Sequence, residues 1–201
     1  MKLAKKLLIL LVIMFGLNVF ISNAQTADTV CAGTSGKTYW VTAKTGSTYN
    51  WTINGGSQAT GGSTNSITID FDNSTGVDTI YVQETDSNGC LADPVALAIV
   101  RMPLPTANIT GATTLCHNDS AQITVSLTGT YPLSLTYSDG SGNITVNNIS
   151  SSSYQFYTGV LPSTTTYSLV SVEDVLSCSS TPSGSAVVTV LPKPTTSQIF
   201  H

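Results

Sequence analysis

The sequence predicts an all-β protein made of two tandem β-sandwiches. Apolar and polar residues alternate along short segments, as at Tyr49, Trp51 and Ile53, and this period of two is typical of half-buried strands. Clusters rich in Gly, Asn and Asp, such as residues 54–56, separate the segments and indicate turns. No segment of helical length after residue 25 has a helical period, so we expect strands throughout.

Residues 1–24 have the organisation of a secretory signal peptide. A basic start is followed by an apolar run over 7–21 that is short for a membrane span. Ser22 and Ala24 supply the small residues of a cleavage site, so we expect the exported chain to start at Gln25. The alternative is an uncleaved membrane anchor. After cleavage we expect no membrane span.

Charge argues against two classes of partner. The whole chain has a net charge of −4, but three of its seven basic residues lie in the predicted signal peptide. The exported chain would keep four basic residues against eleven acidic ones, a net charge of −7. Those four are scattered, so the sequence predicts neither a nucleic-acid interface nor a basic surface for anionic membranes.

An internal repeat defines the domains. Met-Pro-Leu-Pro-Thr at 102–106 recurs as Leu-Pro-Lys-Pro-Thr at 191–195, an offset of 89, and each copy follows an apolar strand segment. The Pro-x-Pro sequence predicts a stiff, extended connection. The predicted divisions are a signal peptide 1–24, a first sandwich 25–102, a linker 103–106, a second sandwich 107–191 and an extended tail 192–201.

The four cysteines allow three pairings, and the repeat favours one of them. Cys31 with Cys90, and Cys116 with Cys178, would give each sandwich one disulfide at the same place in its repeat. Each bond would close a loop of about sixty residues and contribute about 4 kcal/mol to stability. A four-cysteine metal site is the alternative, but the close spacing of zinc ligands is missing.

Several motifs recur along the two predicted sandwiches: Val30–Gly33, Tyr39–Val41, Gly46–Trp51, Asn65–Ile69 and Ser87–Cys90 in the first, and Leu115–Cys116, Leu133–Gly140 and Thr165–Leu169 in the second. The motifs of the first sandwich resemble the PKD-like repeats of bacterial surface and gliding-associated proteins, a group exported by type IX secretion. Those of the second resemble the companion immunoglobulin-like repeat.

The resemblance implies an exported, non-catalytic module for adhesion or interaction at the cell surface, with a surface protein or a glycan as partner. A structural spacer or stalk component, in the periplasm or at the surface, is one alternative. A carbohydrate-binding accessory module is another. The first predicts a saturable partner, whereas a spacer predicts none.

The residues do not predict an enzyme. The two histidines, His117 and His201, have no Ser or Cys nucleophile in a recognisable motif. Two acidic pairs, Asp70 with Asp72 and Glu84 with Asp86, could hold Ca²⁺ or act as acid and base, but they fit the solvated face of a sandwich better. We therefore predict no catalytic residue, no metal ligand and no cofactor.

The two tryptophans are expected on opposite sides of the first sandwich. Trp51 shares its face with Tyr49, and both are predicted core residues. Trp40 shares its face with Thr38 and Thr42 and is a candidate ligand contact, for instance a platform for a sugar ring, with an edge or interdomain contact as the alternative.

The bacteria that carry such repeats attach O-glycans at Asp, then Ser or Thr, then an aliphatic residue. The resemblance therefore makes Thr29, Thr79 and Ser120 candidate glycosylation sites, with chance matches as the alternative.

The predicted tail carries two apolar residues, Ile199 and Phe200. By the repeat it corresponds to the stretch that leads from the first sandwich into the second. We expect it to dock on a neighbouring copy, giving self-association, or on a larger surface protein, with a frayed terminus as the alternative.

Overall fold

A computed structural model of the protein describes residues 25–201, and the predicted signal peptide lies outside them. This part of the chain contains sixteen β-strands and no helix. Accordingly, none of its segments is a helix long and apolar enough to cross a membrane. The predicted fold class, all-β with two tandem sandwiches, is confirmed.

The N-terminal sandwich, as we call residues 28–102, contains seven strands. They are β1 (Asp28–Cys31), β2 (Lys37–Trp40), β3 (Thr48–Ile53), β4 (Gly56–Thr60), β5 (Ser66–Phe71), β6 (Gly76–Thr85) and β7 (Val95–Met102). One sheet has the order β1-β7-β6-β3 and the other the order β2-β5-β4. The two sheets enclose a core of seven buried apolar residues that includes Ile67, Ile69 and Ile99.

The C-terminal sandwich, residues 106–191, contains the other nine strands. They are β8 (Thr106–Thr110), β9 (Thr113–Cys116), β10 (Gln122–Thr128), β11 (Leu133–Ser138), β12 (Asn143–Ile149), β13 (Ser153–Tyr157), β14 (Thr165–Glu173), β15 (Ser179–Ser180) and β16 (Ser185–Leu191). Its sheets have the orders β13-β10-β8 and β12-β11-β14-β16-β9, with β15 paired to β14. Fifteen buried apolar residues form its core.

The predicted repeat is visible in the strand registers. β1 runs parallel to β7 with Cys31 opposite Met102, and β9 runs parallel to β16 with Cys116 opposite Leu191. The pattern of alternating burial predicted for β5, β10 and β11 is also present. One predicted strand is shorter than expected, because β2 ends at Trp40 and does not continue through Val41 and Ala43.

Each sandwich has one Asp-based turn before its last strand, and the two turns match. In the first, the Asp86 carboxylate accepts hydrogen bonds from the backbone N–H of Asn88 (2.9 Å) and of Cys90 (2.8 Å). In the second, Asp174 accepts from Leu176 (2.9 Å) and Cys178 (3.0 Å). Since the same bonds recur at an offset of 88, Cys90 and Cys178 occupy equivalent places.

Candidate functional site

One disulfide bond joins the two sandwiches. It links Cys31, at the end of β1, to Cys178, in the turn after β14, with the two Cα atoms 5.5 Å apart. Cys90 and Cys116 are free thiols and both are exposed. The predicted pairings, Cys31 with Cys90 and Cys116 with Cys178, are therefore wrong.

The strand arrangement explains why each sandwich cannot close its own disulfide. Cys31 lies opposite Met102, where β7 ends, whereas Cys90 lies in the turn that precedes the start of β7. The two ends of β7, which has eight residues, are about 23 Å apart, and Cys31 and Cys90 lie at opposite ends. A disulfide needs Cα atoms within about 7 Å. Cys116 and Cys178 are separated in the same way by β16. The repeat correctly identified which cysteines are equivalent, but it did not show that the two cysteines of one sandwich lie at opposite ends of that sandwich.

The junction between the sandwiches is packed beside the disulfide. Pro105 of the linker is fully buried, and the Ser180 hydroxyl donates a hydrogen bond of 2.5 Å to its carbonyl oxygen. A small cavity of about 160 Å³ lies at the junction, with Val30 and Lys37 on one side and Leu176 on the other. The disulfide is thus one part of a contact between the two sandwiches.

A larger groove opens on the N-terminal sandwich. Its volume is about 460 Å³, and it lies between the two sheets beside the outer edge of β2. Residues 37–41 form one side, and residues 95–97 of β7 form the other. Ile80 and Val82 of β6 line its floor. Within residues 25–201, β2 pairs only with β5, and the first half of β7 pairs only with β6.

Of the three aromatic residues predicted as core or contact residues, Trp40 and Trp51 line this groove and Tyr49 does not. Tyr49 is buried, with 4% of its surface exposed, and its hydroxyl accepts a hydrogen bond of 2.9 Å from the backbone N–H of Lys44. Trp51 is only half-buried; it packs against the core cluster and lines the groove. Trp40 also lines the groove and is 72% exposed.

Tyr39 of β2 and Asp28 of β1 form a polar contact beside the groove. The Tyr39 hydroxyl donates a hydrogen bond of 2.9 Å to the Asp28 carboxylate, which also pairs with Lys37 at 3.2 Å. Burial, together with this hydrogen bond to a carboxylate, raises the pKa of Tyr39 well above its ordinary value. The phenol is therefore a neutral hydrogen-bond donor, not an acid or a base at physiological pH.

The acidic residues considered as metal or catalytic groups already have protein partners. Asp70 accepts from the backbone N–H of Gly36 at 2.7 Å, and Glu84 pairs with Lys44 at 2.7 Å. Asp72 contacts the guanidinium of Arg101, a buried residue that also pairs with Asp78. These carboxylates serve turns and ion pairs.

Hydrogen bonds lower the pKa of three of these carboxyl groups. Ser74, through its hydroxyl and its backbone N–H, lowers the pKa of Asp72, and the Arg101 guanidinium adds to the effect. Lys44 and then Ser47 lower the pKa of Glu84. The backbone N–H of Cys90 is the main cause of the lowered pKa of Asp86. All three groups are thus held in their charged form.

The acidic residues and histidines of residues 25–201 are not gathered into a metal site. No group of three or more His, Cys, Asp and Glu side chains lies together in this range. His117 lies in the turn after β9, and His201 is exposed in the tail.

The remaining predicted sites differ in exposure. Thr29 and Ser120 are exposed, whereas Thr79 is half-buried in the middle of β6. Ile199 and Phe200 are 95% and 84% exposed in a tail outside any strand. These positions allow modification or docking, and both stay predictions.

Comparison with known proteins supports the PKD-like assignment of the first sandwich. Residues 19–99 match the family described as "PKD-like domain". No curated protein sequence is significantly similar to the chain.

Among solved structures, the chain is similar to an I-band fragment from titin, with 12% identity and a TM-score of 0.47, over 83% of this chain and 62% of that fragment. It is also similar to fibronectin(III)-like modules of CbhA from Clostridium thermocellum, with 14% identity and a TM-score of 0.40, over 87% and 95% of the two chains. For Dpr2 Ig1-Ig2 in complex with DIP-Theta Ig1-Ig3, the identity is 12% and the TM-score 0.39, over 87% and 99%.

The fold defines a class of protein, two tandem β-sandwiches, and residues 19–99 are similar to the PKD-like domain family. Such domains are commonly non-catalytic interaction or spacer modules. The disulfide indicates an exported protein, because disulfides persist in oxidising compartments and are rare in the cytosol.

Proposed function

We propose that the protein is an exported, non-catalytic structural connector whose two sandwiches are held end to end as one stiff unit. The observation that carries this proposal is the Cys31–Cys178 disulfide, which crosses the junction. A disulfide inside one sandwich would stabilise that sandwich only. A bond between two sandwiches instead restricts how they move relative to each other.

Two further contacts support a stiff junction. The linker holds Pro103 and Pro105, which limits its backbone freedom, and Pro105 is buried against the second sandwich. Ser180 also hydrogen-bonds the Pro105 carbonyl. Two tethers therefore cross the junction, the polypeptide itself and the disulfide. A connector at the cell surface, exported by the type IX route that the sequence resemblance implies, needs such stiffness to hold a distance.

Small-angle X-ray scattering of the exported protein tests this proposal. The wild-type protein should give the narrow distance distribution of a single arrangement. The double variant Cys31→Ser, Cys178→Ser should give a broader distribution, because only the linker then limits the relative motion of the sandwiches. Cys90→Ser, Cys116→Ser is the matched control, since it also removes two thiols but leaves the junction intact.

The control should scatter like the wild type. If the junction variant also scatters like the wild type, the disulfide adds no stiffness and the connector proposal loses its support. Circular dichroism and the unfolding transition of each variant must show that both sandwiches remain folded.

The groove favours a second candidate function, recognition of a surface protein or glycan. The exposed Trp40 beside an open groove is the observation behind it, because exposed aromatic rings can stack on sugars and on apolar side chains. Trp40→Ala should then abolish capture of a partner from cell-surface extracts by the immobilised protein. Tyr157→Ala removes an equally exposed aromatic side chain from the C-terminal sandwich, away from the groove; it is the control and should still capture the partner. Absence of any captured partner with the wild type favours the connector.

A further inference from the structure

Each sandwich carries the same two kinds of cysteine. Cys31 ends β1 and Cys116 ends β9, and each of these first strands runs parallel to the last strand of its sandwich. Cys90 and Cys178 instead lie in the Asp-based turns before the last strands. We call the first kind the strand cysteines and the second kind the turn cysteines.

The two strand cysteines have matching backbone surroundings. The Cys31 carbonyl accepts a hydrogen bond of 3.1 Å from the backbone N–H of Thr34, and the Cys116 carbonyl accepts one of 3.2 Å from that of Asp119. In both cases the donor lies three residues further along the chain, so the same kind of turn follows each cysteine. The backbone therefore presents Cys116 as it presents Cys31.

The two turn cysteines match in the same way. The backbone N–H of Asp86 donates to the Cys90 carbonyl at 3.0 Å, and that of Asp174 donates to the Cys178 carbonyl at 2.9 Å. The carboxylate of each Asp also accepts from the N–H of its cysteine, so each turn is held by bonds in both directions. Cys90 is therefore held as Cys178 is held when it forms its disulfide.

The junction shows which kinds of cysteine pair. Its disulfide joins the strand cysteine of the first sandwich, Cys31, to the turn cysteine of the second, Cys178. The bond thus joins unlike kinds. Cys90 and Cys116 are one cysteine of each kind, and both are exposed free thiols that are not bonded to each other.

Cys90 and Cys116 lie at the ends of the sandwiches away from the junction. Cys90 precedes the start of β7, and β7 ends opposite Cys31 at the junction. Cys116 lies opposite the end of β16, whose start follows the turn of Cys178. Each free thiol is therefore accessible to a sandwich outside this pair.

We propose that Cys90 and Cys116 are attachment sites for further β-sandwiches of this build. Cys90 bonds the strand cysteine of one partner sandwich, and Cys116 bonds the turn cysteine of another. In each reaction two thiols form one S–S bond and release two protons and two electrons, which reduce a disulfide oxidant of the export compartment to two thiols. The partner is defined by the kind of cysteine that it carries, whichever chain supplies it. This attachment goes beyond the connector role, which stands even if no further sandwich is bound.

A second copy of the exported protein is the probe, because every copy carries both kinds of cysteine. Cys90→Ser keeps only the free strand cysteine, and Cys116→Ser keeps only the free turn cysteine. In a glutathione redox buffer, a mixture of the two variants should form disulfide-linked dimers about tenfold faster than either variant alone, because only the mixture contains unlike kinds in the orientation of the junction. A peptide map of the dimer should link Cys116 to Cys90.

Asp86→Ala, made in the Cys116→Ser variant, tests whether the turn presents the thiol. It removes the carboxylate that holds the backbone N–H of Cys90, so dimer formation with Cys90→Ser should fall about tenfold. Asp93→Ala is the matched control, since it removes the same charge from an exposed position three residues beyond Cys90, and it should leave dimer formation near its original level. A small aromatic disulfide reagent should react equally with both variants, because it needs only an exposed thiol.

Three results would overturn the proposal. If either single variant forms dimers as fast as the mixture, the thiols react without regard to their kind. If the mixture forms no dimer although both thiols react with the small reagent, the two sites do not fit each other. Equal loss of dimer in Asp86→Ala and Asp93→Ala would show that charge, and not the turn, governs the reaction. None of these results affects the scattering test of the connector, which depends on Cys31 and Cys178.

Discussion

The two sandwiches are built on one plan, but within residues 25–201 they differ at the edge of one sheet. Both have a first strand parallel to the last one and the same Asp-based turn before it. The C-terminal sandwich has the added strand β8 and a core of fifteen buried apolar residues, whereas the N-terminal sandwich has an open groove and a core of seven. The comparison suggests that the N-terminal sandwich is the weaker half and depends more on its neighbours.

The largest expected effect is that of the junction disulfide. It joins residues 147 apart in sequence, so the chain-entropy argument gives it about 5 kcal/mol. In urea unfolding followed by fluorescence, Cys31→Ser, Cys178→Ser should shift the transition of the N-terminal sandwich to lower urea and separate it from the second transition. Cys90→Ser, Cys116→Ser should leave both in place. Identical curves for the two variants would contradict the view that the junction supports the weaker half.

The core can be compared at equivalent positions. Ile99 and Val188 are both fully buried at an offset of 89. Ile99→Ala should cost about 3 kcal/mol, and Val188→Ala, which removes one carbon atom fewer, about 2 kcal/mol. Because the smaller core has less stability to lose, Ile99→Ala should unfold the N-terminal sandwich at low urea while the second transition persists. Equal tolerance of both substitutions would show that the cores do not differ in stability.

Acid should also affect the two halves unequally. The N-terminal sandwich has three carboxyl groups whose pKa is lowered, at Asp72, Glu84 and Asp86, and the C-terminal sandwich has one, Asp139, held by Ser141. A lowered pKa in the folded state means that the unfolded chain binds protons more readily, so this stability is present at neutral pH and is lost as pH falls below about 4.

The urea midpoint of the first transition should therefore fall more steeply between pH 6 and pH 3 than that of the second. Asp72→Asn, Asp86→Asn should reduce the difference in pH dependence. A parallel fall of the two midpoints would contradict the assignment of these ion pairs and turns to the weaker half.

The smallest effect is expected at the matching turns. Gly89 has a φ of 86°, and its equivalent Ser177 has a φ of 61°, in the left-handed region that favours glycine. Gly89→Ala has free space for its methyl group, so its cost of about 1 kcal/mol should come from the backbone alone. Ser177→Gly should be neutral or slightly stabilising. If thermal unfolding instead shows that Ser177→Gly destabilises the protein more than Gly89→Ala does, the two turns are not equivalent.

Sequence reasoning predicted the fold class because strand periodicity and turn residues are local signals. The segments around Trp51, Ile69, Val125 and Leu135 all form strands. The disulfide pairing could not be read in the same way. It depends on the parallel pairing of β1 with β7, which places Cys31 and Cys90 at opposite ends, and this pairing is a tertiary choice.

The groove could not be predicted from the sequence, although Trp40, which lines it, is a contact candidate in the sequence. Trp40, Ile199 and Phe200 were identified as exposed candidates for contact, but the sequence does not show that β2 has an open edge. Within residues 25–201, β10 has β8 beside it, whereas β2 has a partner strand on one edge only. The pattern of equivalent cysteines at an offset of 85 and 88 was the one signal that could have suggested a junction that repeats from sandwich to sandwich.

A disulfide map of the exported protein tests the central claim most directly. The claim is that the bond between Cys31 and Cys178 holds the sandwiches end to end. Proteolysis of the unreduced protein after its free thiols are blocked, followed by mass spectrometry, should find the peptide of Cys31 linked to that of Cys178. Peptides that link Cys31 to Cys90 and Cys116 to Cys178 would contradict the account, because each sandwich would then be closed separately and the junction would be free.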